Sequence, residues 1–350
     1  MLKQLSIKKL TVFKQADFEF SSSLNILIGE NGTGKSHVLK LAYAIIAENN
    51  SKLRKKAYDS SISRSGVALS KISINYFEKI VNTFRTDSIE CLVRIEKDQA
   101  LAGGANFYFK NSKYDCSFTY RRSEGMTQFY PSAPERWELA TAAFIPTREL
   151  LTIYPNFASL YEARYLEFEE TYYDTCLLLG EPLLKKPMVD LLEKLENAMG
   201  GKAELERGRF YLVTANESKI EMPMVAEGIR KLAMLAQLIA VGALKKGGYL
   251  FWDEPEANLN PRLIKTIAMA IHELAKAGIQ IFIATHSLFL LRELEILSMA
   301  EKKPISQRYF ALNKTVEGVE LEQGDSLEDL STLVLLDEEL LQSDRYMALE

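Results

Sequence analysis

A short apolar strand pattern, Leu24 to Ile28, runs directly into Gly29-Glu30-Asn31-Gly32-Thr33-Gly34-Lys35-Ser36. The residues that follow, HVLKLAYAIIAEN, carry Val38, Leu39, Leu41, Ala42 and Ile45 on an apolar stripe at helical spacing. Strand, glycine loop and helix in that order place the chain in the α/β class. The octet matches G-x-x-x-x-G-K-S in the context that gives the pattern its meaning. Its small residues let consecutive backbone N–H groups turn inward on an anion at a helix N-terminus. Lys35 would reach the β- and γ-phosphates of a nucleotide, and the Ser36 hydroxyl would ligate Mg²⁺. The bland alternative is a glycine-rich turn that binds nothing.

A second constellation lies far downstream. Tyr249 to Trp252 form an apolar strand that ends in Asp253 and Glu254, and adjacent acids at a strand's end are costly unless they act. Asp253 is placed to hold the magnesium, and Glu254 to polarise a water opposite the γ-phosphate. A solvated acidic turn is the competing reading. The buried strand pattern IQIFIAT then ends at His286-Ser287.

The remaining segments read as strands at Leu2–Ile7 and Ala16–Phe20, a basic serine-rich loop over 51–66, and antiparallel hairpins between Ile72 and Tyr120, CLVRIE among their strands. A strand AAFIP follows, then helical patterning over 157–199 and a hairpin over 210–222. Helices are expected over 225–244 and 261–277. With 350 residues, 47% of them hydrophobic, the chain can bury a sizeable core. Its net charge of -4 argues against a surface built throughout for nucleic acid, so any DNA contact must be a local patch. Three dispersed cysteines lack metal-ligand spacing and read as reduced thiols, and three histidines exclude a His-rich metal site. No signal peptide or membrane span is visible, so a cytoplasmic chain is expected.

Taken together, GENGTGKS, FWDEPEANLNP and IATHS resemble the ABC-class ATPases, in particular the non-transporter branch of RecF, SMC-type and OLD-like AAA proteins. The resemblance covers residues 1–49 and 222–310. It implies an ABC-type P-loop ATPase head with antiparallel hairpins and an inserted helical lobe, binding ATP and Mg²⁺. By the same resemblance Asn258 belongs to the D-loop, and His286 is the switch that touches the γ-phosphate. The backbone of His37 would face the phosphates. The signature loop that one subunit offers to its partner's ATP falls at Val225–Arg230, with Gly228 at the helix start. Ala226 and Glu227 depart from the usual serine and glycine there, which puts the strength of dimerisation and the hydrolysis rate in question. Phe13-Lys14 sits where relatives carry a residue near the adenine or phosphates, and Arg148 where they have a nucleotide-sensing loop.

Residues 1–140 and 205–315 are expected to form a discontinuous core, 141–204 a helical lobe and 316–350 an acidic segment. That segment holds 11 acids against Arg345 alone, with leucines that outline an amphipathic helix. It reads as a cap on its own domain or as a docking helix for a separate effector. OLD-type nucleases carry a Toprim domain, for which too few residues follow Phe310, so no nuclease domain is expected in this chain. The resemblance extends to the ATPase subunits of two-gene phage-defence systems of the Septu or PARIS kind. It implies a homodimer around ATP that regulates a separately encoded nuclease or toxin, away from membranes. The alternatives are a DNA-repair or chromosome-associated clamp and an ATP-bound scaffold with little hydrolysis.

Overall fold

Thr11 and Val12 turn the chain between β1 (Leu2–Leu10) and β2 (Phe13–Glu19), an antiparallel pair whose buried side chains alternate as the sequence does. The computed structural model describes residues 1–48, 76–95, 102–121, 126–130, 141–185, 187–331 and 334–349. After β3 (Leu24–Gly29) and α1 (Lys35–Glu48) come α2 (Tyr76–Phe84), β4 (Ala102–Phe109), β5 (Cys116–Arg121), β6 (Met126–Tyr130) and β7 (Ala142–Ile145). The lobe helices α3 (Phe157–Ala163), α4 (Glu170–Leu179) and α5 (Val189–Met199) precede β8 (Gly201–Glu206), β9 (Arg209–Thr214) and β10 (Lys219–Glu221). The remainder is α6 (Glu227–Ala240), β11 (Tyr249–Asp253), α7 (Pro261–Lys276), β12 (Gln280–Thr285), α8 (Leu288–Met299), β13 (Gln307–Thr315), β14 (Gly318–Gly324) and α9 (Val334–Met347).

Three sheets result. A five-stranded antiparallel sheet has the order β2-β1-β4-β5-β6, a small one the order β10-β9-β8, and the central sheet the order β14-β13-β3-β12-β11-β7. The central strands are parallel except for β14 on β13. Register pairs Ile28 with Thr285, Ala284 with Asp253, and Gly29 with Leu312, so the carboxyl ends of β3, β12 and β11 finish within a residue of one another, while β13 runs on to Thr315. In open parallel sheets that edge is where ligands bind. Each strand feeds two cores. Leu27, Phe251, Phe282 and Phe310 pack with α1 and the five-stranded sheet, while Ile26, Trp252, Ile283 and Tyr309 pack with α6, α7 and α8. Burial on both faces explains why these strands read as continuous apolar runs.

The expected hairpin region differs in two places. Tyr76 to Phe84 is helical because Tyr76, Lys79, Ile80 and Thr83 bury one face at three- and four-residue spacing. The described part of CLVRIE, residues 91–95, is not a strand. Ile89 and Leu92, three residues apart, are buried by a 3₁₀ turn, and only Val93 bridges to Leu10. The 51–66 loop lies outside the described residues. β7 pairs with β11 in the central sheet, so the range 141–204 contributes a core strand as well as the lobe helices. The 316–350 range likewise begins with β14, and its helix starts only at Val334. Cys116 and Cys176 are buried, Cys91 is exposed, and none forms a disulfide.

A buried polar cluster ties the lobe to the helix that follows the loop. Tyr43 of α1 donates its hydroxyl to Asp174 Oδ2 of α4 at 2.6 Å, and Lys79 of α2 reaches the same oxygen and, at 3.2 Å, Glu170. Lys40 of α1 pairs with Glu169 at the head of α4.

Candidate nucleotide site at the sheet edge

The chain reaches α1 through Gly32 and Gly34, both at left-handed φ of 81° and 90°. Gly34 has a second constraint: a Cβ there would stand 2.6 Å from Val12 Cγ2 and 2.9 Å from the Phe13 ring. The β1–β2 turn thus packs directly under the loop. Phe13 is a core residue, fully buried and edge-on to Phe18, with its ring against the loop at Gly34; Lys14 turns outward to Glu317 at 3.2 Å. Thr33 Oγ1 donates to the Glu30 carbonyl at 2.9 Å. Lys35 Nζ folds back on the carbonyls of Gly29 and Glu30 at 2.7 and 2.9 Å. Burial holds the Lys35 pKa below the usual lysine value, against the opposing charges of Glu254, Asp253, Glu256 and Glu30. Asn31 and Gly32 form the exposed apex. Lys314 of β13 brings its Nζ to 4.0 Å from where a Gly32 Cβ would lie, a neighbour no local pattern announces.

Burial raises the Asp253 pKa, and the Ser36 hydroxyl, which lies beside the carboxylate and so sets the loop against the end of β11, opposes the rise. Asp253 Oδ1 is buried without a hydrogen-bond partner among the described residues. Such an oxygen beside a hydroxyl fits a divalent cation, which would supply the missing partner. No group of three His, Cys, Asp or Glu side chains that could hold a metal exists among the described residues. One carboxylate and one hydroxyl suit a hard cation that keeps several waters and binds phosphate oxygens.

Glu254 takes a left-handed backbone, φ 48°, which a non-glycine residue adopts at a cost of about 1–3 kcal/mol. Its N–H donates to the Ala284 carbonyl at 2.9 Å, and its side chain comes within 3.3 Å of His286 Nδ1. The structure therefore brings Lys35, Ser36, Asp253, Glu254 and His286 to one edge. The His37 side chain packs on α2. Its imidazole lies 5.5 Å from the Phe84 ring, and burial lowers its pKa to about 4.

Gly228 and Asn258 form a neighbouring group. Asn258 donates to Glu227 at 2.9 Å, and a Cβ on Gly228 would meet Leu259 and Leu263 at 2.9 Å. The start of α6 has no side-chain cap at Ala226, in keeping with the absent serine. Arg148 is exposed and without an ion pair among the described residues. Its neighbour Glu149 is buried, 2.8 Å from Arg230 Nε.

Two further residues belong here. Lys231 is fully buried and donates to the carbonyls of Ala257 at 2.8 Å and Glu254 at 3.4 Å. Glu256 is buried against the end of β12, accepting from Thr285 Oγ1 at 2.7 Å. A lysine inside the apolar face of α6 was a readable signal; nothing local marked the role of Glu256.

The level strand ends, the loop on the central strand and the antiparallel sheet over α1 define the fold of an ABC-type ATPase head. The sequence matches the RecF/RecN/SMC N terminal domain over residues 1–304, and the chain belongs to that family. It is accordingly an ATP-binding ATPase of the ABC class, a class that binds its nucleotide with a divalent metal. Solved structures agree in fold. The SMC head domain from Thermotoga maritima is 13% identical, with a TM-score of 0.51 over 92% of this chain and 98% of that one. The SmcHead bound to the C-winged helix domain of ScpA is 14% identical, with a TM-score of 0.60 over 93% and 98%. The Smc head domain with an extended coiled coil, bound to the C-terminal domain of ScpA and derived from Pyrococcus furiosus, is 13% identical, with a TM-score of 0.54 over 98% and 99%. No curated protein matches significantly. Among the described residues no helix is long and apolar enough to cross a membrane.

Proposed function

We propose that the chain is a Mg²⁺-dependent ATP switch that closes as a homodimer around nucleotide and regulates a separately encoded effector in anti-phage defence. The observation that carries the switch is Glu254, held in a left-handed backbone with its carboxylate beside His286, next to the Ser36–Asp253 contact. Lys35 would exchange the Gly29 and Glu30 carbonyls for phosphate oxygens, and Ser36 and Asp253 would hold the cation. Glu254 would accept the proton of the attacking water, with His286 on the γ-phosphate. Gly228 and Asn258 of a second copy would close the site. Residues 1–140 and 205–315 together with β7 act in this reading as the core, and the helices of 141–204 as the lobe.

Support for a docked effector comes from α9, whose Leu340, Leu341, Tyr346 and Met347 are exposed beside acids; an acidic, apolar helix suits a basic groove on a partner. A second reading, a chromosome-associated clamp that grips DNA, draws on the likeness to SMC heads. The lobe helices weigh against it, at 7, 10 and 11 residues far short of a coiled-coil arm.

ATP titration tests the switch. Lys35→Ala is expected to weaken ATP binding about 10- to 150-fold, the equivalent of the ~1.5–3 kcal/mol of a charge-assisted hydrogen bond. Removing divalent metal should weaken it too. A wild type that binds no ATP with Mg²⁺ present sinks the reading. DNA binding that requires ATP and falls steeply with salt would favour the clamp.

A further inference from the structure

We infer that Glu256 is a positioning residue that anchors the histidine switch, an inference that rests on the hydrolytic reading of the site. Its Oε1 accepts two hydrogen bonds from the end of β12, from the Thr285 hydroxyl at 2.7 Å and the His286 backbone N–H at 3.1 Å. The same oxygen lies 3.7 Å from His286 Nδ1, the nitrogen that Glu254 approaches at 3.3 Å. One carboxylate thus fastens the loop after β11, which carries Glu254, to the strand end that carries His286. The anchor extends further. Thr285 Oγ1 accepts from the Ser287 N–H at 3.0 Å, and Ser287 caps α8 by accepting from the Leu290 N–H at 3.2 Å.

The need for an anchor follows from exposure. The His286 side chain is 44% exposed, and the partners it meets are these two carboxylates. A half-exposed imidazole on a strand end has several open rotamers, and a misplacement of about 1 Å at a reacting group can cost about 100-fold in rate. Glu256, by contrast, is 5% exposed, and its Oε2 is buried without a hydrogen-bond partner among the described residues. A buried carboxylate with one idle oxygen is a poor stabiliser, since half of its acceptor capacity is desolvated without return. Its two good hydrogen bonds go to the backbone of the switch residue itself and to the Thr285 before it.

The experiment measures kcat and ATP affinity separately for the full chain with Mg²⁺. Glu256→Ala should lower kcat about 10- to 100-fold while the ATP Kd moves less than about twofold, because the residue touches the switch and not the phosphate loop. The double variant Glu256→Ala with His286→Ala should be no slower than His286→Ala alone, since an anchor has no effect once its cargo is gone. Glu256→Gln, which keeps an acceptor oxygen, should recover most of the rate. Should the alanine variant fold poorly, Thr285→Val removes at nearly constant shape the hydroxyl that donates to Glu256 and accepts from the Ser287 N–H, and should lower kcat several-fold at unchanged Kd. Multiplicative losses in the double variant, a Gln variant as slow as Ala, or a loss seen in Kd would each overturn the inference while leaving the hydrolytic reading intact. A wild type that binds ATP and never hydrolyses it would overturn both.

Discussion

Replacing Glu254 by glutamine is expected to slow ATP hydrolysis about 10²- to 10⁴-fold, the range a positioned general base supplies, while ATP binding persists. Glutamine keeps the shape and the left-handed backbone at 254, so the change isolates the proton acceptor. The contacts expected to hold ATP, those of Lys35, Ser36 and Asp253, are untouched. With hydrolysis blocked and binding intact, the closed state cannot reopen, and a species of twice the mass should accumulate in ATP. Single-turnover hydrolysis and light scattering on the same samples check both halves. Turnover at the wild-type rate would remove Glu254 from the chemistry. Slow turnover without a mass change would leave a hydrolase that works as a single copy.

The parts of this site that were readable in the sequence are those whose chemistry lies within one short segment. Gly29 to Ser36 needs only its own backbone and the helix after it, and Asp253-Glu254 needs only the end of an apolar strand. Parts that depend on two segments meeting were not readable. The bond between Glu256 and Thr285 spans 29 residues, and the Lys231 contact with Ala257 spans 26. The packing of the Phe13 ring against Gly34 joins two segments in the same way. Fold-level omissions have another cause. β8, Gly201 to Glu206, keeps none of its residues fully buried, so the alternation that marks a strand is absent; it is an edge strand defined by pairing with β9. Ile89 and Leu92 supplied an apolar pattern too short to separate strand from turn.

Asp174→Ala should be the most destabilising single change in the lobe, at about 3–5 kcal/mol, because it removes the partner of a buried cation. Asp174 is buried, and its Oδ2 takes both the Tyr43 hydroxyl and the Lys79 ammonium. Truncation leaves that hydroxyl without its acceptor, and leaves Lys79, whose pKa these acids hold above the usual lysine value, with Glu170 as its carboxylate. Asp174→Asn keeps an acceptor and should lose less. The pH dependence gives an independent readout. Burial raises the Glu170 pKa to about 7, with Lys79 opposing and Asp174 adding to the rise. A carboxyl whose folded pKa lies above its unfolded value contributes stability that is complete below the unfolded value and lost as pH rises through about 7. Without the Asp174 charge Glu170 ionises more readily beside Lys79, so that decline should become shallower. Urea titrations across this range measure both effects. A loss below about 1 kcal/mol would show that the cluster exchanges one solvated arrangement for another. A loss of the expected size would mean that the lobe is locked to α1, the helix that begins at Lys35, by charges that leave it little freedom to move without the phosphate loop.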